Sequence, residues 1–366
     1  MHNKKKLLIF IPSIEDGGVE KNLYIISNYL ANHIKKINII TFNRNKKKKF
    51  NNNVNFIYPH LYTKKNYGRP FKYIFCLALL VKEILVNKRN CVVFSWQANI
   101  YAIIVCFFFR IKIISRSNSS PSGWSKNIFK NFIFNFFLKK ANTLIVNSLV
   151  FKREMDKKFN VNSKLILNPF DFAFIKKKSN EKLNNSLFKN KKLKIINIGR
   201  FTDQKDQISL IKAAQLALKK IDLKLFIIGK GVLEENMRKY IKNNNLSKHI
   251  HIIGYKENPF KYIKKADIFV LTSKFEGSPN VLVESQILKK YIISTDCPTG
   301  PREILQNGNL GSLVKMGDYK SISKILINFN KKNNFNKINM AYNFAKKKYD
   351  HNKNCFLYLK EIKKYL

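Results

Sequence analysis

Short apolar runs alternate with longer stretches of helical period along nearly the whole chain. In the first half, LLIFIP, INIITF, VNFIY, CVVFS, IKIISR, TLIVNS and KLILN read as seven strands. In the second half, LKIINIG, LKLFIIG, IHIIG, DIFVLTS, YIISTD and GSLVK read as six more. Runs of this length, rich in β-branched residues and spaced by helical segments, predict parallel sheets covered by helices on both faces. The expected fold class is therefore α/β. Two sheets are expected, because the polar stretch IKKKSNEKLNNSLFKNKKLK breaks the rhythm near the middle of the chain. The predicted division is an N-terminal α/β domain over residues 1–172, a linker over 173–193 and a second domain over 194–340. A C-terminal helical segment over 341–366 can return to brace the first domain. No short-period repeat is present.

Length and composition support this picture. At 366 residues with 45% hydrophobic and 13% aromatic content, the chain can build two cores and is not of a disordered class. The formal charge of +48 and pI near 10.1 would ordinarily suggest nucleic acid or an anionic membrane. Much of the excess is Lys accompanied by abundant Asn and Ile, the pattern of an A/T-rich coding sequence. It therefore says less than its size suggests. No helix-turn-helix, RNP or zinc pattern accompanies it, so a basic nucleic-acid-binding module is the weaker reading.

The five cysteines are scattered, with no CxxC pair, which predicts reduced thiols in a cytoplasmic setting and no zinc site. The start, MHNKKKLLIFIPSIEDGG, has an apolar run too short for a signal peptide and reads as a first strand. The most apolar stretch, CVVFSWQANIYAIIVCFFFRIKII, is interrupted by Trp96, Gln97 and Asn99. Strand, loop, helix and strand suit it better than a membrane span.

Candidate chemistry concentrates in the second half. FEGSPNVLVES places Glu276 and Glu284 with seven residues between them. Ser278 suits an N-cap and Pro279 the first helical position, predicting a helix from about Pro279 to Lys290. Glu284 then shares an apolar helix face with Val281, Ile287 and Leu288. A helix N-terminus formed by Gly277, Ser278, Pro279 and Asn280 can hold an anion. A nucleotide-sugar, with a diphosphate and many hydroxyls, would use both features; an ordinary capped helix is the plainer reading. NIGRFTDQKD adds Arg200 and Lys205 after a strand end, where two cations can reach one diphosphate, or merely join a cationic surface. IEDGGVEK places Gly17 and Gly18 between the first strand and first helix, permitting close backbone approach to a phosphate. It is not GxGxxG, and no P-loop sequence occurs. Nor does any Asp-x-Asp, so no candidate metal clamp is present.

Together these segments resemble the retaining glycosyltransferases of family four, in the group that builds bacterial surface glycans. The likeness runs through GGVEKNL, ILNPFD, NIGRFTDQKD, LFIIGKG, ADIFVLTSKFEGSPNVLVES and STDCPTGPREIL, and the segment SRSNSSP adds to it. It implies the GT-B fold, two facing Rossmann-like domains with a central cleft. It implies that Arg200 and Lys205 hold the donor diphosphate, that Glu276 contacts the donor sugar and that Glu284 accepts from the ribose. The loop at Gly17 and Gly18 would close over the phosphates, and Arg116 would point to the cleft. No cofactor is implied; the donor is a substrate, expected to be a UDP-hexose or UDP-N-acetylhexosamine. One departure is clear: none of the six histidines falls where many relatives carry a first-domain histidine near the reacting sugar. His249 and His251 alternate on a strand and read as sheet packing.

The implied acceptor is a lipid-linked saccharide in capsule, O-antigen or lipopolysaccharide assembly, at the inner face of the cytoplasmic membrane. FKNFIFNFFLKK, residues 129–140, and RPFKYIFCLALLVKEI interleave aromatic and basic residues in a way that suits an anionic membrane surface. A core helix with lysines at its edges has the same pattern. Within the same fold, a nucleotide-sugar epimerase is the alternative activity.

Overall fold

A computed structural model describes residues 5–15, 17–59, 67–118, 128–183, 186–188 and 192–366. The chain forms two compact units. One holds the residues up to Phe170 together with His351–Leu366, and the other is Asp171–Asp350.

In the first unit the order is β1 (Lys6–Phe10), α1 (Gly18–Ala31), β2 (Ile37–Ile40), β3 (Val54–Ile57) and α2 (Arg69–Val86). There follow β4 (Cys91–Ser95), α3 (Asn99–Phe108), β5 (Lys112–Arg116), α4 (Ile128–Leu138), β6 (Thr143–Val146), α5 (Leu149–Phe159) and β7 (Lys164–Leu165). The second unit begins with α6 (Phe172–Ser179), β8 (Leu193–Ile198), α7 (Gln207–Ala217), β9 (Leu223–Ile228), α8 (Glu234–Asn243) and β10 (Ile250–Gly254). It continues with α9 (Phe260–Lys265), β11 (Ile268–Leu271), α10 (Asn280–Ile287), β12 (Tyr291–Thr295) and α11 (Pro301–Ile304). The last elements are β13 (Ser312–Val314), α12 (Tyr319–Ile327), α13 (Phe335–Lys348) and α14 (His351–Lys363), the last of which belongs to the first unit. All thirteen expected strands form.

The first unit is a seven-stranded sheet, ordered β3-β2-β1-β4-β5-β6-β7, with every pair parallel. Alternation along β1 feeds two cores. Leu7 and Ile9 pack with Leu23, Ile26 and Leu30 of α1 and with Tyr358 and Ile362 of α14. Leu8 and Phe10 face the other side, with Cys76 and Leu80 of α2, Ile103 and Cys106 of α3, and Phe151 and Met155 of α5. Both faces of β1 are thus covered, which is why it reads as an unbroken apolar run.

The helix α14 is held by more than apolar contact. Glu361, almost fully buried, pairs with Lys164 of β7, and the Tyr365 hydroxyl donates to the Asn142 carbonyl at 3.1 Å. The second unit is a six-stranded parallel sheet, ordered β10-β9-β8-β11-β12-β13, with its own core built from β8, β9, β11 and α7.

Residues 173–193, expected as a linker, carry structure of the second unit. Asp171 caps α6 by accepting from the Phe174 amide at 2.8 Å, and Ile175 is buried. Phe188 stacks on Phe226 with ring centroids 3.8 Å apart. Lys176, Lys177 and Lys182 are exposed, and the lysine-rich composition masks two anchor residues. The segment expected to return over 341–366 divides: residues to Lys348 finish α13 in the second unit, and α14 alone joins the first. Among the described residues no helix is long and apolar enough to cross a membrane.

The five cysteines are buried and free. Burial pushes the Cys91 thiol up to about 11 and those of Cys76 and Cys297 up to about 12. They are packing residues rather than nucleophiles.

Candidate functional site

In the second sheet β8 and β11 are neighbours, yet the chain leaves them in opposite directions, β8 toward β9 and β11 toward β12. Such a reversal opens a crevice beyond the C-terminal strand ends, the usual place for a ligand in open α/β sheets. Arg200 and Lys205 follow β8, whereas Glu276 and Glu284 follow β11. The four charged candidates of this unit, and Gly277 to Asn280 between the two glutamates, therefore flank one switch point.

The two loops are tied together by their own backbones. The Lys274 amide donates to the Gln204 carbonyl, and the Gln204 side chain donates to the Phe275 carbonyl, each at 2.8 Å. The Thr272 hydroxyl donates to the Lys205 carbonyl at 3.0 Å. On this frame the Lys205 ammonium pairs with Glu276 Oε1, which also accepts from the Ser273 hydroxyl at 2.6 Å. Only 16% of the Lys205 side chain and 7% of the Glu276 side chain reach solvent. A pair this dry is held by mutual neutralisation, because removing one member strands the other's charge. Thr299, from the loop after β12, donates to the Glu276 carbonyl and fixes the loop from a third side.

Arg200 differs. It is exposed, and among the described residues its guanidinium has no hydrogen-bond or ion-pair partner; its carbonyl accepts from the Gln207 side chain and the Thr202 amide, each at 3.0 Å. The site thus presents one unpartnered fork beside one paired ammonium.

The start of α10 differs from expectation. Pro279, with φ −69° and ψ 106°, is the N-cap, and the helix runs from Asn280 to Ile287. Ser278 precedes a proline, which disfavours helical backbone there. Pro279 needs only its carbonyl to cap, and that carbonyl accepts from the Leu282 amide at 3.1 Å. Glu284 is 1% exposed in a helix buried on nearly all sides, rather than sharing one apolar face.

Two glycines permit close backbone approach here. A Cβ on Gly300, whose φ is +72°, would stand 2.3 Å from the Gly277 carbonyl oxygen. One on Gly229, after β9, would stand 1.9 Å from the Gly199 carbonyl oxygen. Gly229→Ala should therefore force the loop bearing Arg200 outward, costing about 1–3 kcal/mol as overpacking does. A urea midpoint equal to wild type would refute this.

In the first unit Gly17 and Gly18 link β1 to α1 as expected, with Gly17 at the N-cap. Sequence reading missed Glu20. Its carboxylate reaches back to accept from the amides of Gly17 at 3.1 Å and Glu15 at 3.3 Å. Burial pushes its pKa up. A Glu three residues after the N-cap is a recognisable signal for this arrangement. In this state a phosphate does not have the Gly17 amide to itself.

Arg116 is a correction. Expected to point to the cleft, its side chain is fully buried at the end of β5. Nε donates to the Tyr358 hydroxyl at 2.9 Å, Nη2 donates to Asn168 Oδ1 at 2.7 Å, and the guanidinium lies 4.4 Å from the Trp96 ring centre. The reason is α14, which delivers Tyr358 from 242 positions away. Tyr358→Phe is expected to cost about 1–3 kcal/mol, the penalty for an unsatisfied buried donor. Chemical denaturation tests it, and a neutral result would remove Tyr358 as the support of Arg116. Ser119, Ser120 and Pro121 of the SRSNSSP segment lie outside the described residues. His251 stacks on Phe226, with ring centroids 5.6 Å apart, as sheet packing requires. Among the described residues no three His, Cys, Asp or Glu side chains group to hold a metal ion.

Two Rossmann-like units, the second with a crevice at its switch point, have the fold of the GT-B class. Among solved structures, the chain is similar to Anabaena HepE in complex with UDP and glucose. The TM-score is 0.81 at 15% identity, covering 98% of this chain and 100% of that one, a likeness of fold. Residues 178–351 match the family described as glycosyl transferases group 1. An uncharacterized glycosyltransferase of Methanocaldococcus jannaschii is 28% identical over 333 residues, 83% of this chain and 78% of the relative. A second relative is 30% identical over 239 residues, 63% of this chain and 64% of its own length. It is the Campylobacter jejuni N-acetylgalactosamine-N,N'-diacetylbacillosaminyl-diphospho-undecaprenol 4-alpha-N-acetylgalactosaminyltransferase.

Proposed function

We propose that this glycosyltransferase moves a hexose or N-acetylhexosamine, with retention, from a UDP-sugar to a lipid-linked saccharide in bacterial surface-glycan assembly. The observation that carries the reading is the Lys205–Glu276 pair beside the free fork of Arg200 at the β8/β11 switch point. A leaving diphosphate gathers negative charge as the anomeric carbon gains oxocarbenium character. Preorganised cations and a helix N-terminus act where that charge develops. Lys205 has three donors, so it can keep Glu276 and still reach a phosphate oxygen. Glu276 orients the donor sugar, and Glu284 accepts from the ribose. The anomeric carbon–phosphate oxygen bond breaks as the acceptor hydroxyl oxygen bonds to the same face. The acceptor's proton passes to the departing phosphate. In this scheme protein cations carry the charge a metal would otherwise neutralise, so turnover should survive EDTA.

The relatives support the acceptor class in their own terms: the Campylobacter enzyme's name specifies a diphospho-undecaprenol-linked saccharide. Such an acceptor would place the protein on the anionic inner face of the cytoplasmic membrane. A screen of nucleotide-sugars by nucleotide release, with and without membrane extract, tests the proposal. Release that depends on extract, with label entering a lipid-extractable product of unchanged anomeric configuration, is the expected result. Release of free sugar without acceptor would favour an epimerase, and no turnover with any donor would overturn the reading.

A further inference from the structure

The helix α4, IFKNFIFNFFL, is apolar nearly all round, although a helix lying on a sheet has one side to bury. Leu138 is buried, and Phe134 and Phe137 pack on the core beside it. The opposite side carries Phe129, Phe132, Ile133 and Phe136, spaced as a single helical stripe. Their exposures are 81, 72, 44 and 46%.

The stripe continues onto α3, which sequence reading had not connected with it. Phe107 meets Phe136 and Phe137 edge-on, with ring centroids 6.4 and 6.1 Å away, and Phe108 beside it is 71% exposed. Single exposed apolar residues are ordinary, but a continuous aromatic face marks an interaction surface.

Charge identifies the occupant. Between Glu83 and Glu154 the sequence contains no Asp or Glu. Arg110, Lys112, Lys130, Lys139 and Lys140 are all exposed on these helices or just beyond them. The Lys140 ammonium lies over two of these rings, 5.6 Å from the Phe107 ring centre and 5.0 Å from that of Phe136. A second copy of this face would set cations against cations. An anionic bilayer offers apolar depth to the rings and phosphate to the rim.

We propose that α3 and α4 together form the membrane-docking face, with Phe108, Phe129 and Phe132 inserted and the lysines on the headgroups. This rests on the membrane reading above and specifies which surface performs it.

Co-sedimentation with neutral phosphatidylcholine vesicles and with vesicles containing phosphatidylglycerol tests it on the full chain. Phe108→Ser with Phe129→Ser and Phe132→Ser should weaken partitioning by about 100-fold, since each ring contributes roughly a factor of ten or less. Lys130→Gln with Lys139→Gln and Lys140→Gln should weaken binding to anionic vesicles by about 10- to 100-fold and leave neutral vesicles unaffected. Nucleotide release with a soluble acceptor analogue should persist in both variants. As a readout independent of affinity, Phe132→Trp should be quenched by brominated lipid, whereas Phe174→Trp in the second unit should not. If wild type binds vesicles and both triple variants bind equally well, this face is wrong while the membrane reading stands. If wild type binds no vesicle, both fail. A dimer in sedimentation equilibrium that the Phe variants dissociate would assign the face to a second copy and overturn the proposal.

Discussion

Arg200→Ala and Lys205→Ala should each lower turnover by about two to three orders of magnitude, the usual loss on removing one group that stabilises transition-state charge. Their effects on folding should differ. Arg200 is exposed, so its removal should stay within about 0.5 kcal/mol of wild-type stability. Among the described residues Lys205 is the only cation paired with the nearly buried Glu276, and deleting it leaves that carboxylate uncompensated. A loss of about 3–5 kcal/mol is the scale for breaking a buried pair. Kinetics must therefore be read at a temperature where the Lys205 variant is folded, as judged by circular dichroism. Near-native turnover of both variants at saturating donor would remove the diphosphate assignment. Equal stability of both variants would instead show that the Lys205–Glu276 pair contributes little to the fold.

The contrast between these two residues marks what a sequence can show. That both cations follow one strand was legible, because an apolar run ending at Gly199 fixes where the chain leaves the sheet. That one of them is neutralised by a partner 71 positions away was not, since the pairing depends on β8 and β11 lying side by side. The same limit applies in the first unit. Arg116 was correctly placed at a strand end, but its direction depends on Tyr358, which no local pattern connects to it. The segment around α6 failed for another reason. Its lysines and asparagines dominate the composition, while Ile175 and Phe188, which fasten it to the second unit, are too few to register as a periodic face. Apolar strand runs suffer neither problem, and all thirteen could be read directly, including the partly buried edge strands β3, β7, β10 and β13.

Glu276→Gln should depress turnover, because its carboxylate faces the reacting end of the donor in the proposed pose. Glu284→Gln should chiefly raise the donor KM, as expected of uniform binding to a ribose remote from bond breaking. A Lys205→Met, Glu276→Gln cycle then separates position from charge. Each single change strands one partner in a nearly dry loop; the double change strands neither. Stabilities should therefore be non-additive, with a coupling of roughly 1–3 kcal/mol, the range for contacting residues in one network. Turnover should behave differently: the double variant regains stability but lacks the cation at the diphosphate, so its rate should stay at or below that of Lys205→Met. Partial recovery of stability with no recovery of rate is the expected result. If rate recovers together with stability, Lys205 acts only by holding Glu276 in place, and the diphosphate must be met by Arg200 and the N-terminus of α10 alone.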